Sequence, residues 1–403
     1  MTTRTIFVPG RIELFGKHVD YGGGPSLTCA IGEGITAEVT PANRPMLSVE
    51  DAASGRSARV ALRRDARAGG AHGGTYIATV ARRLARDFAP LKVGVRVRSS
   101  STLPRSSGLS SSSAFVTMLV IAVAEANRLQ ERRMWRDHLG TPLALAEYCG
   151  SVEMGAPFGP FPGERGVGTR GGAQDHVAIL CNEDDTVGAF RYLPAECVGR
   201  ARFPRHWSIV VAVSGVRATK TGAARDDYNR ASDLVRSLLL SWNQAMRRAD
   251  QSLASAFRSS PDAPERMLAL ARHLPDAPRH LARVEQFRRE TEVIVPGALD
   301  AIASADGAAL GRLAVESQQR AEVALQNQVP ETMFLARSAM ASGAHAASAF
   351  GAGFGGAVWA IVDAAAVSEV IASWRAAYAA AFPARAGKAE FIVVRPGPGV
   401  AWP

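Results

Sequence analysis

The sequence predicts an α+β protein built as two lobes. Three observations lead to this prediction. The chain has 403 residues, enough for two domains that each bury a core. Both halves mix short alternating apolar runs, typical of strands, with longer runs of helical spacing. A linker is predicted near residues 193–205. We therefore expect one lobe over residues 1–200 and a second over residues 206–403.

The first half is expected to contain three strands and three helices. Alternating apolar residues predict the strands, and apolar residues three or four apart predict the helices. Serines at the start of the second helix suit a helix N-terminus. The predicted elements are strands over 6–16 and 26–41, a helix over 75–89, a strand over 93–100, a helix over 109–129 and a short helix over 173–180.

The second half is expected to be richer in helix. An apolar run predicts a strand at its start, and a glycine-rich loop between a helix and a buried strand lies near its end. The predicted strands are 206–214, 357–362 and 389–399, and the predicted helices are 222–248, 262–290, 297–306, 309–326, 331–349 and 365–382.

The composition is that of an ordinary soluble globular protein, with 47% hydrophobic and 21% charged residues. No apolar run reaches the ~18 residues of a membrane span, and the first residues lack the apolar stretch of a signal peptide. We therefore expect a cytoplasmic protein without a membrane partner. Its 4 cysteines form no CxxC pair, which predicts free thiols.

The formal net charge of +10 raises the question of nucleic-acid binding. The arginines are scattered along the chain and are not gathered into a stripe with aromatic residues between them. This pattern disfavours a nucleic-acid partner. A general attraction for small anionic ligands fits it better.

Three segments carry most of the polar chemistry. PGRIELFGKHVDYGGG (9–24) has more polar groups than a structural strand needs, which suggests a site for a small polar molecule. PRSSGLSSSSAF (104–115) leads from a strand to a helix start, where free N–H groups could cradle a phosphate; a serine-rich linker would look the same. AFGAGFGGAVWAIV (349–362) allows close backbone approach to a ligand, or only tight packing.

Two carboxylates stand out near the middle of the chain. Asp175 follows two glycines at the predicted start of a helix, where the helix dipole alone would favour an acidic residue. Glu153, taken by itself, is an ordinary helix-surface carboxylate. Neither residue identifies a site without a wider pattern.

Taken together, the three segments resemble the GHMP kinase superfamily. The first segment resembles the galactokinase signature, G-R-x-N-L-I-G-E-H-x-D-Y-x-x-G. The similarity continues in TYIATVARRL (75–84) and in SGVRATKTGAARDDYNRA (214–231), so it covers essentially the whole chain. The resemblance implies a ribosomal-S5-like lobe, then a ferredoxin-like lobe, with the active site in the cleft between them.

The resemblance also implies phosphorylation of a sugar at its anomeric hydroxyl, with ATP and Mg²⁺. The partner would be a small-molecule sugar, and the protein a monomer or homodimer. The implied residues are Asp175 and Arg11 for catalysis; Lys17, His18, Asp20, Gly172, Tyr228 and Gly351 for sugar binding; Tyr76, Gly108, Leu109, Ser110, Ser111, Ser112, Ser113 and Gly353 for ATP; and Ser112 and Glu153 for the metal.

Elementary chemistry agrees with these implied roles. Phosphoryl transfer needs in-line placement and charge stabilisation, and a carboxylate can take the proton of a weakly nucleophilic sugar hydroxyl. Arg11 would keep Asp175 ionised and help neutralise charge on the transferred group. Asp175 could instead only position the substrate, with the proton lost late to the phosphate, and the sequence does not separate these mechanisms.

Lys17 is the clearest departure from the galactokinase pattern, because it replaces the glutamate of G-E-H. A lysine has three donors and no acceptor, so it suits an acidic substituent better than a hydroxymethyl group. This motivates the hypothesis of an acidic sugar such as a uronic acid. Galactose stays open as the substrate, as does a Lys17 that only forms a salt bridge with a neighbouring acid.

Two further departures concern the middle and the end of the chain. The apparent insert PFGPFPGERG (157–166) lengthens the spacing between Glu153 and Asp175, and TRGGAQDH (169–176) resembles the G-G-x-Q-D of fucokinases and heptose kinases. Ser348 and Phe350 stand where galactokinases usually carry a basic residue and a threonine before the last glycine loop. Two other functions therefore stay open: a non-catalytic sugar and ATP sensor, and a kinase of a non-sugar alcohol.

Overall fold

A computed structural model describes residues 2–67, 73–104, 107–217 and 224–401, with the side chains of residues 224–228 outside the description. The strands are β1 (Arg4–Phe15), β2 (Ser26–Ala42), β3 (Met46–Asp51), β4 (Ser57–Ala61), β5 (Gly94–Ser101), β6 (Thr186–Arg191), β7 (Glu196–Arg202), β8 (Trp207–Val213), β9 (Ala346–Ala349), β10 (Ala357–Asp363), β11 (Glu390–Val394) and β12 (Pro396–Gly397).

Helices cover the sheets and fill most of the second half. They are α1 (Gly74–Asp87), α2 (Ser111–Ala126), α3 (Arg133–Leu139), α4 (Pro142–Met154), α5 (Gln174–Cys181), α6 (Ala224–Met246), α7 (Leu253–Phe257), α8 (Ala263–Ala271), α9 (Ala277–Arg289), α10 (Val295–Ala303), α11 (Gly307–Arg320), α12 (Pro330–Ala341), α13 (Val367–Ala381) and α14 (Pro383–Ala386). Two π-helical turns, Glu290–Ile294 and Ala321–Leu325, extend α9 and α11.

The strands form two sheets, which confirms the α+β prediction. The first runs β4-β3-β5-β2-β6-β7, with β1 and β12 also paired to β2, and the second runs β11-β8-β10-β9. Only the β3–β5 pair is parallel among the described pairs. Every residue of β8 is buried, which explains its unbroken apolar sequence.

The largest core lies under the first sheet and is formed with helices α1, α2, α4 and α5. One face of the second sheet also contributes to this core. The opposite face of the second sheet packs against α12 and α13 and forms a second core. A third, around Trp242 and Phe287, joins the helices α6 to α9 and includes Val19 from the amino-terminal motif. This contact fixes the motif 9–24 against the helical half.

Several sequence predictions are corrected by this topology. The predicted linker 193–205 contains strand β7, and the predicted helix 262–290 is two helices, α8 and α9, separated at 272–276. The predicted helix 331–349 ends at Ala341, and β9 follows. Alanine favours helices by its intrinsic propensity. The four small residues of β9 are all buried, however, and tertiary packing against the neighbouring elements makes this segment a strand.

The last glycine loop therefore joins two antiparallel strands, β9 and β10, and not a helix and a strand. The sheets divide close to the predicted boundary at 200–206. The chain nevertheless returns to the first sheet near its end, because Pro396 and Gly397 pair with β2. Within the described residues, no helix combines the length and apolar character needed to cross a membrane.

Candidate active site

A polar cavity lies where β1, the turn at Asp20–Gly22, the start of α5 and the loop after β9 meet. Segments that are far apart in sequence supply its walls. Its titratable and hydroxyl-bearing lining residues include Arg11, His18, Asp20, Ser113, Glu153 and Asp175. The structure thus brings together six of the residues that the sequence singled out.

An ion pair between Arg11 and Asp175 forms one wall of this cavity. The Arg11 Nε and Nη2 atoms donate to Asp175 Oδ1 over 2.8 and 2.6 Å. Its Nη1 donates to the carbonyl oxygen of Gly108 over 2.7 Å. Arg11 is 3% exposed, whereas the Asp175 side chain is 17% exposed. Two of the guanidinium nitrogens thus orient one carboxylate that still reaches the cavity, and the third holds the serine loop at Gly108.

Ser113 connects this pair to a second carboxylate. Its hydroxyl lies 3.2 Å from Asp175 Oδ2 and 3.0 Å from Glu153 Oε2. Having one proton, it donates to one of the two at a time. His176 Nε2 lies 3.0 Å from the same Glu153 oxygen, and its Nδ1 lies 3.0 Å from the Thr117 hydroxyl. Because His176 is buried, it holds Glu153 in place from behind.

The sequence predicted Ser112 and Glu153 as the metal-binding pair, and the structure places Ser113 beside Glu153 instead. On helix α2, Ser113 is buried and Ser112 is half-exposed. The reason is helical geometry: consecutive side chains point about 100° apart, so only one of the serines can face α4. Among the described residues there is no group of three or more His, Cys, Asp or Glu side chains suited to a metal ion.

His18 and Asp20 lie together in the cavity wall, next to the glycine loop after β9. His18 has a left-handed backbone with φ of 57°, a strained conformation that the surrounding contacts maintain. Its Nε2 lies 3.3 Å from the carbonyl oxygen of Ala352, and its Nδ1 lies 3.1 Å from the Tyr21 hydroxyl. His18 therefore joins the amino-terminal motif to the second half of the chain.

Burial raises the pKa of Asp20 from 3.8 to about 6, and the negative charge of Asp175 adds to this rise. Backbone N–H groups oppose the shift, among them that of Gln174, which donates to Asp20 Oδ2 over 3.4 Å. Asp20 is only 6% exposed. Its carboxyl therefore changes charge just below neutral pH.

This shift predicts a pH-dependent stability. A carboxyl with a raised pKa in the folded state stabilises the fold fully below pH 3.8 and loses that contribution as the pH rises through about 6. Asp20→Asn cannot ionise, so its stability relative to the wild type will increase between about pH 4 and about pH 7. Urea unfolding at several pH values measures the difference. The exposed Asp184→Asn is the matched control, and a constant difference for Asp20→Asn would contradict the prediction.

Gly172 lies against Asp20, and its lack of a side chain is required there. A Cβ atom at this position would lie 2.1 Å from Asp20 Oδ2 and 3.1 Å from the Tyr21 backbone nitrogen. Neither atom belongs to a flexible chain end. Gly172 thus allows Asp20 to lie close to the start of α5.

Lys17 lies in the interior, away from the cavity lining formed by the described residues. It is 1% exposed, and its ammonium donates to the hydroxyls of Ser317 and Ser348 over 2.7 and 2.8 Å. Burial lowers its pKa, and the charges of Glu290 and Glu13 oppose this effect. The structure thus gives Lys17 two internal partners, Ser317 and Ser348, and its contact with a substrate stays a prediction.

The serine loop is described except for residues 105–106. Gly108 lies in contact with the glycine loop after β9, because a Cβ atom added to Gly351 would be 3.2 Å from the Gly108 carbonyl oxygen. Leu109 is buried and accepts a hydrogen bond from the Arg11 backbone. Of the serines Ser110 to Ser113, Ser111 is exposed at the first turn of α2, and Ser110 has a left-handed backbone before it.

The remaining predicted residues are spread around this region. Gly351 lines the cavity, whereas Gly353 lies against Asn327, since its Cβ would be 2.2 Å from the Asn327 carbonyl oxygen. Tyr76 is half-buried on α1. Tyr228 lies on α6, and its side chain is outside the described part of the structure. The contacts of these residues with ATP or sugar stay predictions.

The sequence analysis missed several cavity residues, among them the polar Glu13 and Gln174. Glu13 is two residues after Arg11 on β1, so strand periodicity places both side chains on one face and could have indicated it. Gln174 precedes Asp175 at the start of α5, where no pattern in the sequence distinguishes it.

Comparison with known protein families shows which family the chain belongs to. Residues 2–41 match the galactokinase galactose-binding signature, residues 75–160 match the GHMP kinases N terminal domain, and residues 298–380 match the GHMP kinases C terminal family. The chain belongs to the galactokinase family of GHMP kinases. The predicted family is thereby confirmed, and the chain is a galactokinase-like sugar kinase.

Known proteins match this kinase over nearly their full length. It is 25% identical to a galactokinase from Thermococcus kodakarensis over 395 residues, covering 98% of this chain and 99% of the relative. It is also 25% identical to a galactokinase from Streptomyces coelicolor, covering 93% and 88% of the two chains.

Solved structures with the same fold include more than one kinase. The kinase fold matches a crystal structure of Lactococcus lactis galactokinase complexed with galactose, with a TM-score of 0.79, 21% identity and coverage of 99% and 95% of the two chains. A Methanococcus jannaschii mevalonate kinase matches with a TM-score of 0.61, 13% identity and 98% coverage of each chain. These likenesses confirm the two-lobed fold.

Proposed function

We propose that this kinase transfers the γ-phosphoryl group of ATP to the anomeric hydroxyl of a neutral, galactose-like hexose, giving a sugar 1-phosphate. The observation that carries the proposal is the Arg11–Asp175 ion pair at 2.6 and 2.8 Å, in a cavity that also contains His18 and Asp20. This is the geometry needed to hold a polyol and to remove one proton from it.

Asp175 is the group that accepts the proton. Arg11 donates twice to Oδ1, while Oδ2 lies 3.2 Å from the Ser113 hydroxyl, and the Asp175 side chain is 17% exposed in the cavity. Its carboxylate is thus within reach of a sugar hydroxyl bound there. The Arg11 guanidinium stabilises the carboxylate in its charged form before transfer and lies close to the negative charge that develops on the phosphoryl group.

The donor set beside Asp175 fits a magnesium ion. Glu153 supplies a carboxylate and Ser113 a hydroxyl, both oxygen ligands, and Mg²⁺ is usually held by one or two such groups together with waters and phosphates. Bound there, Mg²⁺ would neutralise charge on the phosphates of ATP. His176 keeps the Glu153 carboxylate oriented through its 3.0 Å contact.

The charges of the cavity favour a neutral substrate over an acidic one. Four carboxyl groups, from Glu13, Asp20, Glu153 and Asp175, line it, and Arg11 is already paired. The positive charge of Lys17, which motivated the uronic-acid hypothesis, is directed to Ser317 and Ser348 inside the protein. A substrate carboxylate would meet the negative charges of Asp20 and Asp175 in the cavity, and the one cationic side chain among its described lining residues, Arg11, is held by Asp175.

The test is ADP release from ATP and Mg²⁺ with D-galactose, N-acetyl-D-galactosamine, L-fucose, L-arabinose, D-galacturonate and mevalonate, with mass detection of the phosphorylated product. We expect turnover of D-galactose or another neutral sugar and an acid-labile 1-phosphate. Turnover of D-galacturonate alone would restore the acidic-sugar hypothesis. Turnover of mevalonate alone, or of none of these, would overturn the proposed function.

Gly172→Ala will impair sugar binding more than phosphoryl transfer. The new Cβ would lie 2.1 Å from Asp20 Oδ2, so Asp20 must move from its place in the wall. We expect the KM for the best sugar to rise about tenfold, with a loss of about 1–3 kcal/mol in the free energy of unfolding from overpacking. Steady-state kinetics and urea unfolding measure both effects.

The matched control for this variant is Gly32→Ala. Gly32 is an exposed strand residue with no atom within 4 Å of an added Cβ. We expect its KM and stability to stay close to those of the wild type. A Gly172→Ala enzyme with unchanged KM would show that Asp20 does not contact the sugar.

A further inference from the structure

Glu13 occupies the cavity wall without a role in the mechanism above. It lies on β1, on the same face as Arg11, and is 4% exposed. Its Oε1 atom is buried and has no hydrogen-bond partner. A carboxyl group left in this state costs free energy unless a ligand completes its hydrogen bonds.

Gln174 presents the complementary feature in the same cavity. It is 5% exposed, and its Nε2 atom is buried without a hydrogen-bond partner. One unpartnered atom is thus a carboxyl oxygen and the other an amide donor. Both belong to residues that line the cavity, and each independently indicates a place where a polar group of a ligand would complete the hydrogen bonds.

The charges around Glu13 decide which chemistry it offers. Burial raises its pKa to about 8; Asp175 and Asp20 add to the rise, while Arg11 and Lys17 oppose it. At neutral pH the group is therefore mostly an uncharged carboxylic acid. Such a group both donates and accepts, as does the Gln174 amide.

We propose that Glu13 and Gln174 form a subsite that binds one hydroxyl group of the sugar and so determines substrate specificity. A hydroxyl both donates and accepts, which matches this pair of side chains. A sugar carboxylate in the same place would meet the negative charges of Asp20 and Asp175, which line the same cavity. The inference rests on the proposed function, because it assigns a wall of the same sugar cavity.

The test compares the wild type with Glu13→Met and Glu13→Gln, using D-galactose and its 2-, 3-, 4- and 6-deoxy analogues. Methionine keeps the length of the side chain and removes its hydrogen bonds, whereas glutamine keeps a neutral donor and acceptor. We expect Glu13→Met to raise the KM for D-galactose about tenfold, with kcat within about threefold, and Glu13→Gln to stay within about threefold in KM.

The deoxy sugars distinguish a contact from a structural effect. If Glu13 binds a hydroxyl, one analogue will have the same KM with wild type and Glu13→Met, because the contact is already absent. Gln174→Met should depend on the same analogue. Glu33→Met is the matched control, since Glu33 also has an unpartnered carboxyl oxygen but lies outside the cavity lining.

Each result decides the proposal. An equal rise in KM for D-galactose and every analogue, or no rise in Glu13→Met, would overturn the subsite while the wild-type turnover leaves the proposed function intact. A wild type that phosphorylates D-galacturonate in preference to D-galactose would overturn the subsite too. A wild type that neither phosphorylates nor binds any of these sugars in calorimetry would remove both the subsite and the proposed function.

Discussion

Asp175→Asn will lower kcat about 10³-fold, with a change of less than about fivefold in the KM for the sugar. Asparagine keeps an oxygen that accepts from Arg11, so the wall of the cavity is preserved, but it cannot take a proton at the pH of the assay. Because the group acts in the transition state more than in substrate binding, the effect falls on kcat. Steady-state kinetics of ADP release measure it.

The size of this loss separates the two mechanisms that the sequence left open. If Asp175 accepts the proton, asparagine removes that step, and general-base catalysis is typically worth about 10²–10⁴ in rate. If Asp175 only positions the sugar, asparagine still accepts one hydrogen bond and kcat should fall by less than about tenfold. A small loss would therefore contradict the base role.

Two further variants complete this experiment. Arg11→Lys keeps the charge and loses the two-pronged contact with Asp175 Oδ1, so it should lower kcat as well. Asp184→Asn makes the same chemical change at an exposed position and should leave kcat at the wild-type value. Urea unfolding of all three variants checks that the losses do not come from unfolding.

Lys17→Met will destabilise the protein by about 3–5 kcal/mol, the typical cost of leaving a buried charge without the charge that balances it. The Lys17 ammonium donates to Ser317, whose hydroxyl in turn donates to Glu290 Oε1 over 2.6 Å. Glu290 is fully buried and also accepts from the Gly16 backbone over 3.0 Å. Without Lys17, the Glu290 charge would lie in the interior with no cation to balance it.

Urea unfolding with linear extrapolation measures this loss. The double variant Lys17→Met with Glu290→Gln should recover a large part of it, because the uncompensated charge is gone. Lys92→Met, at an exposed lysine, is the matched control and should change the free energy of unfolding by less than about 0.5 kcal/mol.

The same variant decides between the two interpretations of Lys17. If the side chain only connects the segment after β1 to α11 and β9, the preference for galactose over galacturonate will be the same in Lys17→Met and wild type. A loss of stability below about 1 kcal/mol, together with a changed preference between the two sugars, would show that Lys17 faces the substrate. In that case the uronic-acid hypothesis would be restored.

Local patterns predicted most elements that contain a strong period. The alternation Val93, Val95 and Val97 gave β5, and the helical spacing of Ile77, Val80 and Leu84 gave α1. The prediction of a helix for the alanine-rich segment before the last glycine loop was wrong, because these buried alanines form strand β9 against β10. Intrinsic helix propensity is a weak predictor where tertiary contacts determine the secondary structure.

Ordered motifs and periodic apolar residues are local properties of the chain, so the family and the two-lobed α+β fold could be predicted from the sequence, as could Arg11 and Asp175 as candidates for one site. What each polar side chain faces depends on tertiary contacts. Lys17 and Glu13 are four residues apart, yet one lies against Ser317 and Ser348 and the other lines the cavity. The physical reason is that a partner 300 residues away along the chain, as Ser317 is from Lys17, leaves no mark in local spacing.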